Sequence, residues 1–428
     1  MLILLIEITH PSEWTQSMIP GSSIRLWSII GHTVRIESLT KNKGASLKNQ
    51  TSVGIIGTGF IATGLMRALH HQPDMVVSKV LTRRDLNTLT SSVPYTNDID
   101  DLIENSQVIV ECAGDPIYGT DIIARALEAS LPAVTMDAEL QITSGTYLST
   151  LGVLTEAEGD QPGALAALHR EALAMGFRPL VYGNLKGYLN HQPKLEDMQY
   201  WAQFQGISLD QVTAFTDGTK LQIEQVLVAN GLGATIACRG LLGYTSADVS
   251  EGSYRLAAEA KNMGQPISDY LLSQPGSPKL PAGVFISGEH DPLQAAALKY
   301  LKLGDGPYYT LLRNYHLCHL EIPKTIREVM NGGQVLLDNS RKPTTSVVAI
   351  TKTPLIAGQR IKQALGSFEV RGEAILIDSM PDHLPIGLMR NVVMKHDVAP
   401  GQTLSMDDVE IPETLALKAW QHTLEKAL

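Results

Sequence analysis

With 428 residues, the chain is roughly three times the usual ~150 residues per domain, so two or three domains are expected. Hydrophobic residues at 44% and charged residues at 18% exclude a disordered chain and a coiled coil, and no apolar run approaches the ~20 residues of a membrane helix. A formal charge of −10 argues against nucleic acid as a partner, and Cys112, Cys238 and Cys318 are spaced too widely for a disulfide framework or a CxxC zinc site.

Residues 1–50 read as an extension without evident chemistry, ending in the basic tract KNKGASLKNQ. The opening MLILLIEITHPSEW has no basic flank and no A-x-A-like cleavage site, so a cytoplasmic rather than secreted protein is expected. From Thr51 onward, Val- and Ile-rich runs at Val53–Gly57, Val76–Leu81, Val108–Cys112, Ala133–Met136 and Leu180–Gly183 alternate with helical patterns at Phe60–His71, Asp98–Glu104, Ile117–Ser130 and Gly163–Gly176. That alternation predicts an α/β fold, a Rossmann-type parallel sheet covered on both faces, over 51–185. A catalytic, substrate-binding part is expected over 186–343. It holds helices at Lys194–Gln205, Lys220–Asn230 and Lys324–Met330, strands at Gln211–Phe215 and Tyr308–Leu320, and loops through the Gly- and Pro-rich 260–306. The rest, 344–428, reads as a small β domain. Within it Lys352-x-x-Leu355-x-x-Gly358-Gln359 is echoed by Lys395-x-x-Val398-x-x-Gly401-Gln402.

The sharpest local signal is Gly57-x-Gly59-x-x-Ala62-x-Gly64 between an apolar strand and an amphipathic helix. Gly57 permits the tight turn, Gly59 lets backbone approach a pyrophosphate, and Ala62 and Gly64 allow the helix to pack against the sheet. Free amides at the helix start, around Thr58, Phe60 and Ile61, receive phosphate charge. Arg83 and Arg84 close the next strand where an NAD-specific site carries an acid, which favours NADP, with NAD as the alternative. Ala113-Gly114-Asp115-Pro116 ends a further strand and is the expected place for the nicotinamide half.

For chemistry, Asp217 and Lys220 open a helix and could share a pocket, with Lys220 polarising or protonating a carbonyl oxygen. An N-capping Asp beside a solvated Lys explains the same residues. Lys186 at a strand end is a second candidate acid, and Asp137 and Glu139 could bind hydroxyls or a cation, a capping role for Asp137 being equally open. His316, Cys318, His319 and Glu321 are metal-ligand types, but a strand would put His316 and Cys318 on one face and His319 and Glu321 on the other, so no metal is expected and His316 and His319 are candidate substrate contacts or satisfied buried histidines.

Taken together, GTGFIATG, ECAGDP, the run Glu156–Pro162, FTDGTKLQIE, GDGPYYTLLRNYHLCHLEIP and LPIGLMRNVVMKHDVAPGQTLSMDDVEIPE resemble the homoserine-dehydrogenase-like oxidoreductases that carry a C-terminal SAF domain. The resemblance spans about residues 51 to 415. It implies a Rossmann domain, an inserted α/β catalytic domain and a β-clip SAF module, and Asp217 and Lys220 match the family's Asp…Lys pair. The family's V-T-A-N-K stretch reads Val134-Thr135-Met136-Asp137-Ala138-Glu139, with an acid in place of the lysine. A carboxylate cannot stabilise a developing alkoxide as an ammonium does, so a substrate other than homoserine itself is expected. SAF modules of sugar-acid enzymes suggest a polyhydroxylated one. The expected activity is therefore hydride transfer between NADP(H) and a small hydroxylated metabolite, a sugar derivative or homoserine-like compound, in a homo-oligomer without membrane partners. An epimerase or lyase with no net redox change, or a drifted cofactor-binding protein, is the alternative.

Overall fold

Strands β1 (Thr15–Met18), β2 (Arg25–Ile29) and β3 (His32–Arg35) form an antiparallel meander within the first 50 residues of the computed structural model. The structure describes these strands and residues 50–89, 93–332 and 335–428; the opening stretch before Thr15 and most of the basic tract lie outside the described residues. A second compact unit runs from Thr51 to Leu428.

That unit begins with β4 (Thr51–Ile56), β5 (Met75–Leu81), β6 (Tyr95–Thr96), β7 (Val108–Glu111), β8 (Ala133–Thr135) and β9 (Leu154–Glu156). They lie in the order β6-β5-β4-β7-β8-β9 with every pair parallel, the doubly wound arrangement expected. Burial on both faces explains the unbroken apolar runs. Val53, Ile55, Val108 and Val110 pack against Ala62, Leu65 and Leu69 of the Phe60–His70 helix, whereas Ile56, Ile109 and Ala133 pack against Ile123 and Leu127 of the Pro116–Glu128 helix on the other side.

A second sheet has the order β11-β12-β10-β13-β14, built from β10 (Arg178–Lys186), β11 (Tyr244–Ser246), β12 (Ile267–Ser273), β13 (Gly283–Glu289) and β14 (Tyr308–Arg313). The strand expected at Leu180–Gly183 is thus the centre of this sheet and not a member of the first. The alternation along β10 and β13 sends Tyr182, Val284 and Ile286 toward the Gln161–Ala174 helix, and Val181 and Phe285 toward the Val249–Met263 helix.

Four expectations fail here. Gln211–Phe215 is not a strand but part of the Leu209–Thr216 helix, started by a capping box between Ser208 and Gln211. Residues 260–306 are not loops throughout, since β12 and β13 lie there as buried strands whose apolar residues the flanking Gly and Pro obscured. β14 stops at Arg313, and Cys318–Leu320 forms a short 3-10 turn, so the two-face argument for His316, Cys318, His319 and Glu321 does not apply. The tail is not all-β: after β15 (Thr345–Thr351), β16 (Arg360–Gln363), β17 (Val370–Leu376), β18 (Arg390–Met394) and β19 (Val409–Glu410) comes the helix Leu415–Ala427, whose Trp420 is buried.

The C-terminal strands pair antiparallel as β15-β17 and β16-β18-β19. Their core is shared with the Thr219–Gly231 helix, because Val347, Ala349, Val370, Val392 and Leu404 pack in one cluster with Ile223, Val226 and Leu227. Hence the tail is fixed against the elements that carry Lys220.

Candidate active site

The Rossmann sheet changes direction between β4 and β7, and a cavity of about 520 Å³ opens there. Ligands in such sheets bind outside the carboxyl ends of the strands at this point. Gly57 has φ +105°, and a side chain on it would meet the Cys112 carbonyl at 2.9 Å, so only glycine suits this turn. Gly59 starts the Phe60–His70 helix at φ −81° with no side-chain cap, and a Cβ there would touch nothing within 4 Å. The first amides of the helix are therefore left for an outside acceptor, and the open space above Gly59 suits a pyrophosphate. These residues fit a dinucleotide. Ala62 is buried against the sheet as expected. Gly64 is not: a side chain there would run into the His319 ring at 2.5 Å, so Gly64 makes room for His319 and not for the sheet.

Gly57, Thr58, Gly59, Phe60, Ile61, Arg83, Arg84, Ala113, Gly114 and Asp115 all line the cavity, while Pro116 lies behind them as the first residue of its buried helix. Asn97 fixes the arginine turn by donating to the carbonyls of Thr82 (2.5 Å) and Arg84 (3.1 Å). Arg83 lies 4.3 Å over the Tyr118 ring, with Nη1 2.9 Å from Asp115 Oδ2, so Asp115 sits at the arginine end of the cavity, away from the nicotinamide expected beside it.

On the deeper wall, Lys220 Nζ donates to Glu139 Oε2 at 2.8 Å, and both side chains are mostly buried. Burial alone would lower the Lys220 pKa, but Glu139, Glu224 and Asp137 outweigh it and hold the group above the ordinary lysine value, so it stays an ammonium. Burial would likewise raise Glu139, yet the Lys220 charge leaves it below the usual carboxylate value. Asp137 goes the other way: burial, with Glu139 and Glu111 nearby, pushes it well up. Asp137 also caps its short helix, Oδ1 accepting from Leu140 N at 3.2 Å, while Oδ2 meets no donor among the described residues. Glu111 accepts from Ala113 N (2.6 Å) and the Thr135 hydroxyl (2.8 Å), but burial raises it to about 7.

The remaining candidates are placed elsewhere. Asp217 does not line the cavity; it accepts from Thr219 N at 2.9 Å and pairs with the buried Lys352 at 2.8 Å, so it anchors the Thr219–Gly231 helix to β15. It and Lys220 therefore serve different partners. Lys186 Nζ lies 3.4 Å from Glu224 Oε2, which also accepts from Asn184 Nδ2 at 2.9 Å. Lys186 is not among the cavity-lining residues. His319 lines an adjoining, more open depression of about 780 Å³ that shares Thr58, Gly59, Phe60 and Arg84 with the cavity, and His316 Nδ1 is 4.0 Å from the Cys318 sulfur; neither histidine lines the 520 Å³ cavity. Among the described residues no group of three His, Cys, Asp or Glu is disposed to hold a metal.

Glu156 and Asp160, from the Glu156–Pro162 run that carries part of the resemblance, are not among the cavity-lining residues; both are buried carboxyls raised by burial, Glu156 further so by its neighbour Asp160. One cavity residue has no local sequence signal. Arg390 of β18 lines the cavity mouth, with Nη2 3.3 Å from Asp115 Oδ2.

Two family models match parts of the chain. Residues 57–161 match the homoserine dehydrogenase NAD-binding domain, and residues 159–322 match the catalytic domain of oxidoreductase DRL. No curated protein matches the chain. Among solved structures, homoserine dehydrogenase from Thiobacillus denitrificans is similar at 11% identity, covering 83% of this chain and 98% of its own, with a TM-score of 0.42. Homoserine dehydrogenase from S. aureus is similar at 11% identity over 76% and 93%, TM-score 0.37. Dihydrodipicolinate reductase from Paenisporosarcina is similar at 13% over 66% and 95%, TM-score 0.33. Among the described residues no helix is long and apolar enough to cross a membrane. The glycine loop, the cavity beyond it and the two domain matches make this chain an oxidoreductase of the dehydrogenase or reductase type, with a nicotinamide cofactor and a small-molecule substrate.

Proposed function

We propose that the protein is an NADP(H)-dependent oxidoreductase that interconverts a carbonyl and a hydroxyl group on a small polyhydroxylated or homoserine-like metabolite. The observation that carries this reading is the Lys220–Glu139 contact at 2.8 Å on the wall of the cavity that begins at the glycine loop. When bound, the nicotinamide supplies or accepts the hydride. Lys220, kept protonated by its carboxylate neighbours, donates a hydrogen bond or proton to the substrate oxygen as charge develops there. Glu139 orients the ammonium. Asp137, with one buried oxygen lacking a donor, suits a substrate hydroxyl.

NADP is favoured over NAD by Arg83 and Arg84, since no carboxylate occupies the strand-end position that would hold an unphosphorylated ribose. Residues 344–428 read as an SAF-like β module, supported by the two small antiparallel sheets around a repeated K-x-x-(apolar)-x-x-G-Q turn.

Fluorescence titration of NADPH and NADH tests the cofactor. A screen of sugars, sugar acids and amino alcohols for NADP(H)-linked absorbance change tests the reaction. Failure to bind NADPH removes the reading, and turnover without nicotinamide consumption replaces it with an epimerase or lyase.

A further inference from the structure

Asp115 joins the Rossmann domain to the C-terminal module in a way the dehydrogenase chemistry alone does not require. Its Oδ1 caps the Pro116–Glu128 helix by accepting from Tyr118 N at 3.2 Å, so the carboxylate is fixed and almost wholly buried. The other oxygen lies 2.9 Å from Arg83 Nη1 and 3.3 Å from Arg390 Nη2. Neither contact has hydrogen-bond alignment, and that oxygen meets no aligned donor among the described residues. Both arginines are therefore held near it by charge, which leaves directional N–H groups other than Arg390 Nη1 to serve another acceptor.

Arg390 comes from β18, where Nη1 donates to Gln363 Oε1 at 3.1 Å, which keeps its guanidinium at the cavity mouth. Arg84, on the same wall, has no ion pair among the described residues. Two arginines thus meet Asp115, Arg84 lines the same cavity, and Asp210 lies near Arg390, its Oδ2 3.4 Å from Gln363 Nε2. A smaller cavity of about 240 Å³ lies alongside, shares Arg83, Asp115, Tyr118 and Arg390, and is closed by Ile411 and Pro412 of the C-terminal module. Asp121 is its other carboxylate. It adjoins the end of β5, where a Rossmann fold places the adenosine ribose.

We infer that Arg390 is a cofactor-specificity residue: the C-terminal module completes the adenosine end of the site, and Arg390 acts with Arg83 and Arg84 on the ribose 2′-phosphate. This rests on the NADP reading above. Arg390 touches the cofactor and not the reacting atoms, so it sets binding and not the chemical step.

The test uses the full chain, with NADPH, NADH, 2′-AMP and 5′-AMP as probes. In the parent protein NADPH binds more tightly than NADH, and 2′-AMP displaces NADPH better than 5′-AMP does. Arg390→Gln is expected to weaken NADPH by about tenfold or more while NADH changes by less than about twofold, and to erase most of the 2′-AMP advantage. Equal loss of both dinucleotides, or no loss of either, overturns the assignment. If Arg390→Gln fails to fold by thermal melt, Arg390→Lys decides: a reduced NADPH-to-NADH preference supports the role, and an unchanged preference defeats it. A parent protein without NADPH preference overturns the NADP reading and this inference together. A parent preference that survives both substitutions overturns only the role of Arg390.

Discussion

Lys220 Nζ and Glu139 Oε2 are 2.8 Å apart although 81 residues separate them in the chain. One opens the Thr219–Gly231 helix and the other follows β8, so the contact exists only because the second α/β layer closes over the Rossmann sheet. The resemblance to homoserine dehydrogenases leads one to seek a lysine after β8. The structure puts an acid there and brings an ammonium to it from the other layer.

Removing that ammonium should stop the reaction without unseating the cofactor. Lys220→Ala is expected to lower kcat by about 10²- to 10⁴-fold, with the NADPH Kd within about threefold of the parent value. Steady-state kinetics beside fluorescence titration measure both. Full turnover in the variant would defeat the role of Lys220.

The glycine loop offers a cleaner separation of folding from binding. Gly59 has room for a methyl group and an ordinary φ, so Gly59→Ala should change stability by less than about 0.5 kcal/mol. The methyl would occupy the space assigned to pyrophosphate, and NADPH affinity should fall by about tenfold or more. Gly57→Ala, at φ +105° and facing a carbonyl, should instead lower the melting temperature. Differential scanning fluorimetry with and without NADPH distinguishes the two.

Asp217 and Lys352 form a pair buried on both sides. Lys352→Met leaves the Asp217 charge unpaired in the interior and should cost about 3–5 kcal/mol in urea unfolding. Asp217→Asn combined with Lys352→Met should recover part of that loss. Comparable destabilisation in the double variant would mean the pair is not the cause.

Glu111 and Asp269 should make stability fall as pH rises from about 5 to 8, against an opposing contribution below about pH 6.5 from His383, which burial holds down at about 4. Burial raises Glu111 to about 7 and Asp269 to about 6 in the folded protein. Between the unfolded carboxylate value and those values the folded state holds more protons than the unfolded state, so each step up in pH favours unfolding. For Glu111 alone the effect is on the order of 3 kcal/mol across that window. Glu111→Gln, the isostere of the protonated carboxyl, should match the parent near pH 5 and should show a shallower pH slope above it. Melting curves at several pH values check this, and an unchanged slope in the variant would remove Glu111 as a source.

Much of this protein is written locally. The Val- and Ile-rich runs set the parallel sheet because strands buried on both faces must be apolar throughout. The spacing from Gly57 to Ala62 marks the dinucleotide turn, because the demands on φ and on backbone approach fall on neighbouring residues. Arg83 and Arg84 are legible for the same reason, standing at the end of the next strand. Local reading failed where a helix carried strand-like residues, at Leu209–Thr216, and where buried strands sat among Gly and Pro, at β12 and β13.

The pairing of charges could not be read that way. Asp217 and Lys220 look like partners three residues apart, yet Asp217 goes to Lys352 and Lys220 to Glu139. A buried charge takes whatever opposite charge the packing brings within reach, and these partners come from distant segments. Arg390 is the same case, an ordinary β-strand arginine until the tail folds onto the sheet and sets it beside Asp115. The sequence by itself determined the glycine turn that a dinucleotide site requires, because its demands fall on neighbouring residues, whereas the tertiary structure alone decided which cations line the cavity, because they arrive from distant segments.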